Sequence, residues 1–268
     1  MNKKRPYARK RFGQHFLCDQ SVINKTIAAA DISSDDHIIE IGPGRGALTR
    51  ELLATGADIT VVEIDRDLAD DLNERFQHLG NFKLIPRDIL KSNWDGIFKE
   101  GKHNKIVANL PYNISTPLFF QLVEQRHRLY SMTIMVQKEV AERIGHQGDG
   151  KKLKDYGVLS VIASSVFTSK LLFEVPPGAF NPKPRVDSAV IQLIPQNKTL
   201  ENEKVFFDFV KRAFNLRRKL LINHLKNNEN QLYQSLTDAD QQILQKLRPE
   251  NLSPQQYHNL FYLGRLER

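Results

Sequence analysis

Cysteine is nearly absent: Cys18 is the only one in 268 residues. That excludes an internal disulfide and a cysteine-cluster zinc site, and it fits a reducing compartment. The eight histidines are scattered and never form an H-x-x-x-H pair, so no metal ion is expected. No apolar run approaches the roughly 18 residues that span a bilayer. Phe12, Phe16 and Leu17 are interleaved with polar residues and make no signal-peptide core. A cytoplasmic protein without membrane contact, acting as a monomer, is the expectation. Acid is missing locally. Residues 1–18 hold Lys3, Lys4, Arg5, Arg9, Lys10 and Arg11 with no Asp or Glu. Residues 209–228 hold Lys211, Arg212, Arg217, Arg218, Lys219 and Lys226, again without an acid. The whole chain carries 39 basic and 31 acidic residues, a net charge of +8, so the excess sits mostly in the first segment. Concentrated positive charge points to a polyanion partner, although one such cluster alone would read as a solvated face.

What remains is ordinary globular composition: 40% hydrophobic, 26% charged, mean hydropathy −0.45. A chain of this length buries roughly 70–75% of its unfolded surface and needs no covalent staple. From residue 37 to about 137, short apolar, β-branched runs (37–41, 59–64, 82–86, 105–109, 132–137) alternate with helical patterns at 47–54, 68–79 and 117–128. That cadence predicts a doubly wound, mostly parallel α/β sheet with its ligand crevice at the carboxyl ends of the strands. The stretch 145–155 (GHQGDGKKLKD) reads as a surface loop, and 186–194 as a further strand closing the sheet. Beyond it the pattern is helical only, at 205–214, 219–225, 240–247 and 254–263, with Ser253 and Pro254 as N-cap and first helical residue. Three segments are expected: a basic arm with the start of a binding site (1–18), the α/β domain (19–197) and a small all-helical domain (198–268).

The first strand runs into Gly42-Pro43-Gly44-Arg45-Gly46. Glycines there let the backbone approach a ligand and turn into the next helix. The spacing is not the dinucleotide G-x-G-x-x-G, and Ala47 stands where a third such glycine would be. Pro43 also removes an amide donor, which suits a ligand with no pyrophosphate to cradle. Gly42, Glu63, Asp88 and Asn109 follow one another at 21, 25 and 21 residues, about one strand–helix unit each. That register places all four around one crevice. Glu63 can accept hydrogen bonds from vicinal ribose hydroxyls, and Asp88 from an exocyclic amine. Taken singly, each acid would read as a strand-end carboxylate or a helix cap.

Asn109-Leu110-Pro111-Tyr112 suggests the reaction. An adenine N6 is a poor nucleophile because its lone pair is delocalised into the ring. Acceptors on its two N–H bonds, the Asn109 side-chain oxygen and the Leu110 carbonyl, favour a pyramidal nitrogen. Pro111 fixes the backbone, and Tyr112 offers a face for the base. A methyl sulfonium as electrophile needs no metal and no covalent enzyme intermediate; positioning and electrostatics supply the rate.

These segments resemble the ribosomal RNA adenine N6,N6-dimethyltransferases, in particular the small-subunit (16S) branch whose loss confers kasugamycin resistance. The resemblance is carried by FGQHFL from Phe12, EIGPGRGALT from Glu40, VVEIDRDL from Val61, Asp88-Ile89, NLPYNISTPL from Asn109 and FNPKPRVDS from Phe180. It implies a Rossmann-like class I methyltransferase with S-adenosylmethionine bound around Gln14, His15, Leu17, Gly42, Gly44, Glu63, Ile64, Asp88, Ile89 and Asn109. It implies that Asn109, Leu110, Pro111 and Tyr112 hold the target base and that Phe180 covers it from the other side. It also implies transfer to two adjacent adenosines near the 3′ end of small-subunit rRNA. The acid-free basic segments, the arm around Lys3–Arg11 and the cluster Arg217-Arg218-Lys219, are by their charge the expected RNA contacts. His15 stands where the family usually has Asn, in the segment that meets the donor's amino-acid end, and a His can still hydrogen-bond there.

Two other readings are distinguished from this one. The large-subunit enzymes of macrolide resistance share the Asn-x-Pro-Tyr logic, but Leu110 and Thr116-Pro117-Leu118 favour the small-subunit branch. An RNA-binding assembly factor on a methyltransferase scaffold would not need Gly42, Glu63, Asp88, Asn109 and Tyr112 all intact.

Overall fold

The computed structural model describes residues 14–146 and 155–266. The basic arm and most of the 145–155 stretch, including Lys151, Lys152 and Lys154, therefore lie outside the described residues. The described residues form nine strands and eleven α-helices. The first compact unit runs to Ala141 and takes in Ser169–Pro195; the second comprises Glu142–Thr168 and the chain from Gln196 onward.

In the first unit, β1 (Phe16–Leu17) and α1 (Gln20–Ala30) precede the sheet. Asp19 caps α1 by accepting the Ser21 and Val22 amides. Then come β2 (His37–Ile41), α2 (Ala47–Leu53), β3 (Asp58–Glu63), α3 (Arg66–Phe76) and β4 (Phe82–Pro86). They are followed by β5 (Asn104–Asn109), α4 (Ser115–Gln125), β6 (Ser131–Gln137) and α5 (Lys138–Gly145). The later strands are β7 (Phe167–Val175), β8 (Phe180–Asn181) and β9 (Ser188–Pro195). Seven of them form one sheet in the order β4-β3-β2-β5-β6-β9-β7. The pairs from β4 to β6 are parallel, and β9 runs antiparallel to β6. β2, β5 and β6 are buried almost end to end, which is why they read as continuous apolar runs rather than alternating ones. Strand order reverses between β2 and β5, and that switch point opens a crevice at their carboxyl ends. Ile38, Ile59, Val61 and Val107 from the sheet, Ile23 from α1 and Leu52 from α2 share the core.

Three expectations need correction. The sheet does not close at 186–194: β9 starts at Ser188, and β7 lies outside it as the edge. In β7 only Phe167 and Val175 are buried, while Lys170, Leu171 and Glu174 are exposed, a pattern suited to an edge strand and without the alternation of an inner one. The fourth helix starts two residues before Pro117, and 126–128 form a separate 3-10 turn. The division into units also differs from one cut after residue 197.

The second unit draws in α6 (Val158–Val166), which sequence order alone would leave with the sheet. It joins α7 (Glu203–Asn215), α8 (Leu221–Asn228), α9 (Asn230–Ser235), α10 (Asp238–Leu244) and α11 (Pro254–Leu263). α6 packs on α7 and α11, and the Tyr156 hydroxyl donates to the Leu252 carbonyl at 2.6 Å. An aromatic core of Phe206, Phe209, Phe214 and Tyr257 holds the bundle. Ser253 and Gln256 form a capping box on α11, as the Ser-Pro start leads one to expect. The helix expected at 219–225 begins only at Leu221. Arg217, Arg218 and Lys219 consequently lie, exposed, in the turn after α7.

Candidate active site

The crevice at the switch point is a cleft with a cavity volume of about 250 Å³. Every residue expected to bind the donor lines it: Gln14, His15, Leu17, Gly42, Gly44, Glu63, Ile64, Asp88, Ile89 and Asn109. Leu110, Pro111 and Tyr112 line it as well. Four strand ends and the segment around β1 thus supply one wall each.

The glycine loop is shaped by close contacts. Gly42, Gly44 and Gly46 all have positive φ, at 68°, 58° and 73°. A Cβ on Gly42 would lie 3.1 Å from Pro111, and one on Gly44 2.9 Å from the Phe16 ring. The first glycine therefore brings the β2 exit against the β5 exit. Arg45 lies over the Phe16 ring at 4.4 Å.

Glu63, at the end of β3, is 4% exposed. Its Oε1 accepts the Asp65 amide at 2.8 Å and its Oε2 the Gly44 amide at 3.3 Å. Burial raises the carboxyl above its ordinary range, and these backbone amides partly offset that. Asp88 accepts the Leu90 amide at 3.0 Å and so caps the 3-10 turn Ile89–Lys91 while lining the cleft. Capping and a ligand-facing position coincide in one residue.

Glu40 was not singled out from the sequence. It lines the cleft from β2, is buried, and its Oε2 has no hydrogen-bond partner among the described residues. Burial, with Thr49 opposing and Glu63 adding to the effect, pushes its carboxyl up to about 8. An acid inside the otherwise apolar run His37-Ile38-Ile39-Glu40-Ile41 was the available signal.

Tyr112 is half-buried, and its hydroxyl lies 2.6 Å from Ser188 Oγ. His15 stacks on its ring at 5.6 Å with 30° between planes, and His15 Nδ1 donates to the Pro182 carbonyl at 2.8 Å. Phe180 departs from expectation. It is 2% exposed, belongs to the core with Leu17 and Val190, and does not line the cleft. Its pairing with Leu17 between β8 and β1 turns it into that core. In this structure the ring beside Tyr112 is His15.

The family model for ribosomal RNA adenine dimethylases matches residues 5–264. The chain is 45% identical over 223 residues to a ribosomal RNA small subunit methyltransferase A from Pseudomonas syringae pv. tomato, covering 82% of each chain. To the protein of that name from Clostridium botulinum it is 42% identical over 221 residues, 81% of this chain and 79% of the relative. Among solved structures, a dimethyladenosine transferase from Plasmodium falciparum superposes with a TM-score of 0.73 at 25% identity, covering 92% of this chain and 96% of that one. With the strand order, the cleft and these likenesses together, the chain belongs to the ribosomal RNA adenine dimethylase family, enzymes that use S-adenosylmethionine as methyl donor.

Proposed function

We propose that this protein transfers methyl groups to the N6 of two adjacent adenosines near the 3′ end of small-subunit rRNA, as a cytoplasmic step of ribosome biogenesis. The observation that carries this reading is the meeting of Asn109-Leu110-Pro111-Tyr112 with Glu63 and Asp88 around one cleft.

The residues fit the donor. The glycine loop leaves room for close backbone approach but carries Pro43 in place of an amide, so it offers no pyrophosphate cradle. Glu63 clamps the ribose hydroxyls, and Asp88 accepts from the adenine amine of the donor. Glu40 supplies a buried carboxyl oxygen with no hydrogen-bond partner among the described residues, open to a polar group of the ligand. When bound, S-adenosylmethionine supplies an electrophilic methyl group.

The chain's own residues do the rest. Asn109 Oδ1 and the Leu110 carbonyl would accept hydrogen bonds from the N6–H groups the target adenine carries, leaving the nitrogen lone pair free to face the donor; each transfer would break the donor's sulfur–methyl bond and release one N6 proton. Leu110 is held for this by donating its amide to the Met135 carbonyl at 3.0 Å. Pro111 packs on Gly42 and keeps the target base beside the donor loop. Tyr112 provides the stacking face. The RNA is held by the basic arm and by the exposed Arg217-Arg218-Lys219 turn.

Incubation of the protein with undermethylated small subunits and labelled donor, followed by mapping of the methylated nucleotides, tests this reading. Label on two neighbouring adenosines near the 3′ end of the small-subunit RNA is expected. Label confined to large-subunit RNA would overturn it.

A further inference from the structure

Ser188 is fully buried and has no role in the chemistry set out above, yet its hydroxyl meets the phenol of Tyr112 at 2.6 Å. Its place is well determined. Ser188 opens β9 opposite Gln137 of β6, and the Lys138 amide donates to the Asp187 carbonyl at 3.0 Å just before it. Tyr112 leaves β5 on a turn that is pinned as well. The Leu110 amide bonds β6, and Ser115 Oγ donates to the Tyr112 carbonyl at 3.1 Å. The two hydroxyls therefore reach each other from strands anchored on either side of β6.

The phenol oxygen lies on the axis about which a tyrosine ring rotates. A partner there fixes where the axis points, hence where the ring sits, while a stacked neighbour limits rotation about it. Tyr112 has both: Ser188 at its tip and His15 against its face. Burial raises the phenol above its ordinary value, so the group meeting Ser188 is a neutral hydroxyl.

We propose that Ser188 is a positioning residue for methyl transfer: its hydroxyl holds the Tyr112 ring where the target base must stack. The proposal rests on the reading of Tyr112 as the base platform. Misplacing that platform shifts N6 relative to the donor and lowers the rate of the chemical step without loosening the RNA, which is held elsewhere.

The test is a double-mutant cycle of Ser188→Ala and Tyr112→Phe, with Ser188→Thr as the conservative variant. kcat, the KM for RNA and the donor Kd are measured separately, together with quenching of 2-aminopurine placed at the target position. Each single variant is expected to lower kcat about tenfold, with KM and donor Kd within about twofold of wild type and weaker quenching. The double variant should be no slower than either single one, because both remove the same bond. Ser188→Thr should recover most of the rate and the quenching. Losses that multiply in the double variant, or a wild-type kcat for Ser188→Ala, overturn the proposal. If Ser188→Ala does not fold, Tyr112→Phe removes the bond from the other side. A wild-type kcat then overturns the proposal, and a tenfold loss at unchanged KM supports it. A wild-type protein that methylates no adenosine overturns the reading of Tyr112 and this proposal together. One that methylates while the losses multiply overturns this proposal alone.

Discussion

The Gly44 amide donates to Glu63 Oε2 at 3.3 Å across nineteen residues of sequence, tying the glycine loop to the end of the neighbouring strand. The carboxylate is thereby oriented before any ligand arrives. Hydrogen bonds to charged groups contribute about 1.5–3 kcal/mol, so Glu63→Ala should weaken donor binding roughly ten- to hundredfold. Titration calorimetry checks this; unchanged affinity in a folded variant would remove Glu63 from the donor site.

Asn109→Ala should reduce methyl transfer by about 10²–10³ while leaving RNA affinity and the melting temperature near wild type. The Asn109 oxygen acts as the nitrogen rehybridises, so its loss should appear in kcat rather than KM. A variant whose KM rises while kcat holds would assign Asn109 to binding instead.

Glu40 makes stability fall as pH rises. Its carboxyl ionises near 4.5 in the unfolded chain and at about 8 in the folded one. Between these values the folded protein binds more protons, so raising the pH favours unfolding. Urea midpoints at about pH 5, 6.5 and 8 should decline for wild type and decline less for Glu40→Gln. Equal slopes for the two proteins would count against a neutral, buried Glu40.

Asp36 behaves in the opposite way. Burial alone would raise its carboxyl. The Lys105 hydrogen bond and charge, the Ser33 amide and His103 outweigh that and hold it below the ordinary range. Its contribution is therefore full above about pH 4 and lost as pH falls through the depressed value. Asp36→Asn leaves Lys105 buried without its counter-ion, which should cost about 3–5 kcal/mol by denaturant unfolding at neutral pH. A loss below about 1 kcal/mol would mean that the Asp31 carbonyl, to which Lys105 Nζ also donates, or water suffices to hold the charge.

Arg217, Arg218 and Lys219 changed together to Gln should weaken RNA binding and flatten its salt dependence. Each phosphate contact contributes a log–log slope of roughly −0.7 to −0.9. Arg217 is already engaged by Glu250 at 3.5 Å, so a change of about 1.5 to 2.5 units is expected. An unaltered slope would identify the turn as a solvated surface.

The parallel core of the sheet was legible because β2, β3, β5 and β6 are apolar runs, with α2 between the first two, α3 and β4 between the middle two and α4 between the last two, and the strand spacing also located Gly42, Glu63, Asp88 and Asn109. β7 and α6 were not legible. An edge strand whose Leu171-Leu172-Phe173 stands between Lys170 and Glu174 offers only a three-residue apolar run, and α6 owes its place to packing with α7 and α11 far along the chain. Phe180 shows a different limit. Its motif is specific, but whether a ring faces a cleft or the core depends on one strand pairing, Phe180 with Leu17, that no local pattern reveals. Ser188 is a similar case: a serine opening a strand gives no hint that a tyrosine hydroxyl will meet it.

Neither compact unit is a continuous stretch of chain, and this bears on how the protein is made. As the polypeptide leaves the ribosome, β6 ends at Gln137 but its antiparallel partner β9 begins only at Ser188. Until then β6, buried along nearly its whole length in the finished fold, has one unpaired flank. α6 emerges during that interval and must wait for the helices beyond Gln196. Nascent chains stalled between these points should therefore be the most prone to aggregate or recruit a chaperone. A cut after residue 197 would give the sheet all its strands but leave α6 without the bundle it belongs to, so trimming the termini alone does not release either unit.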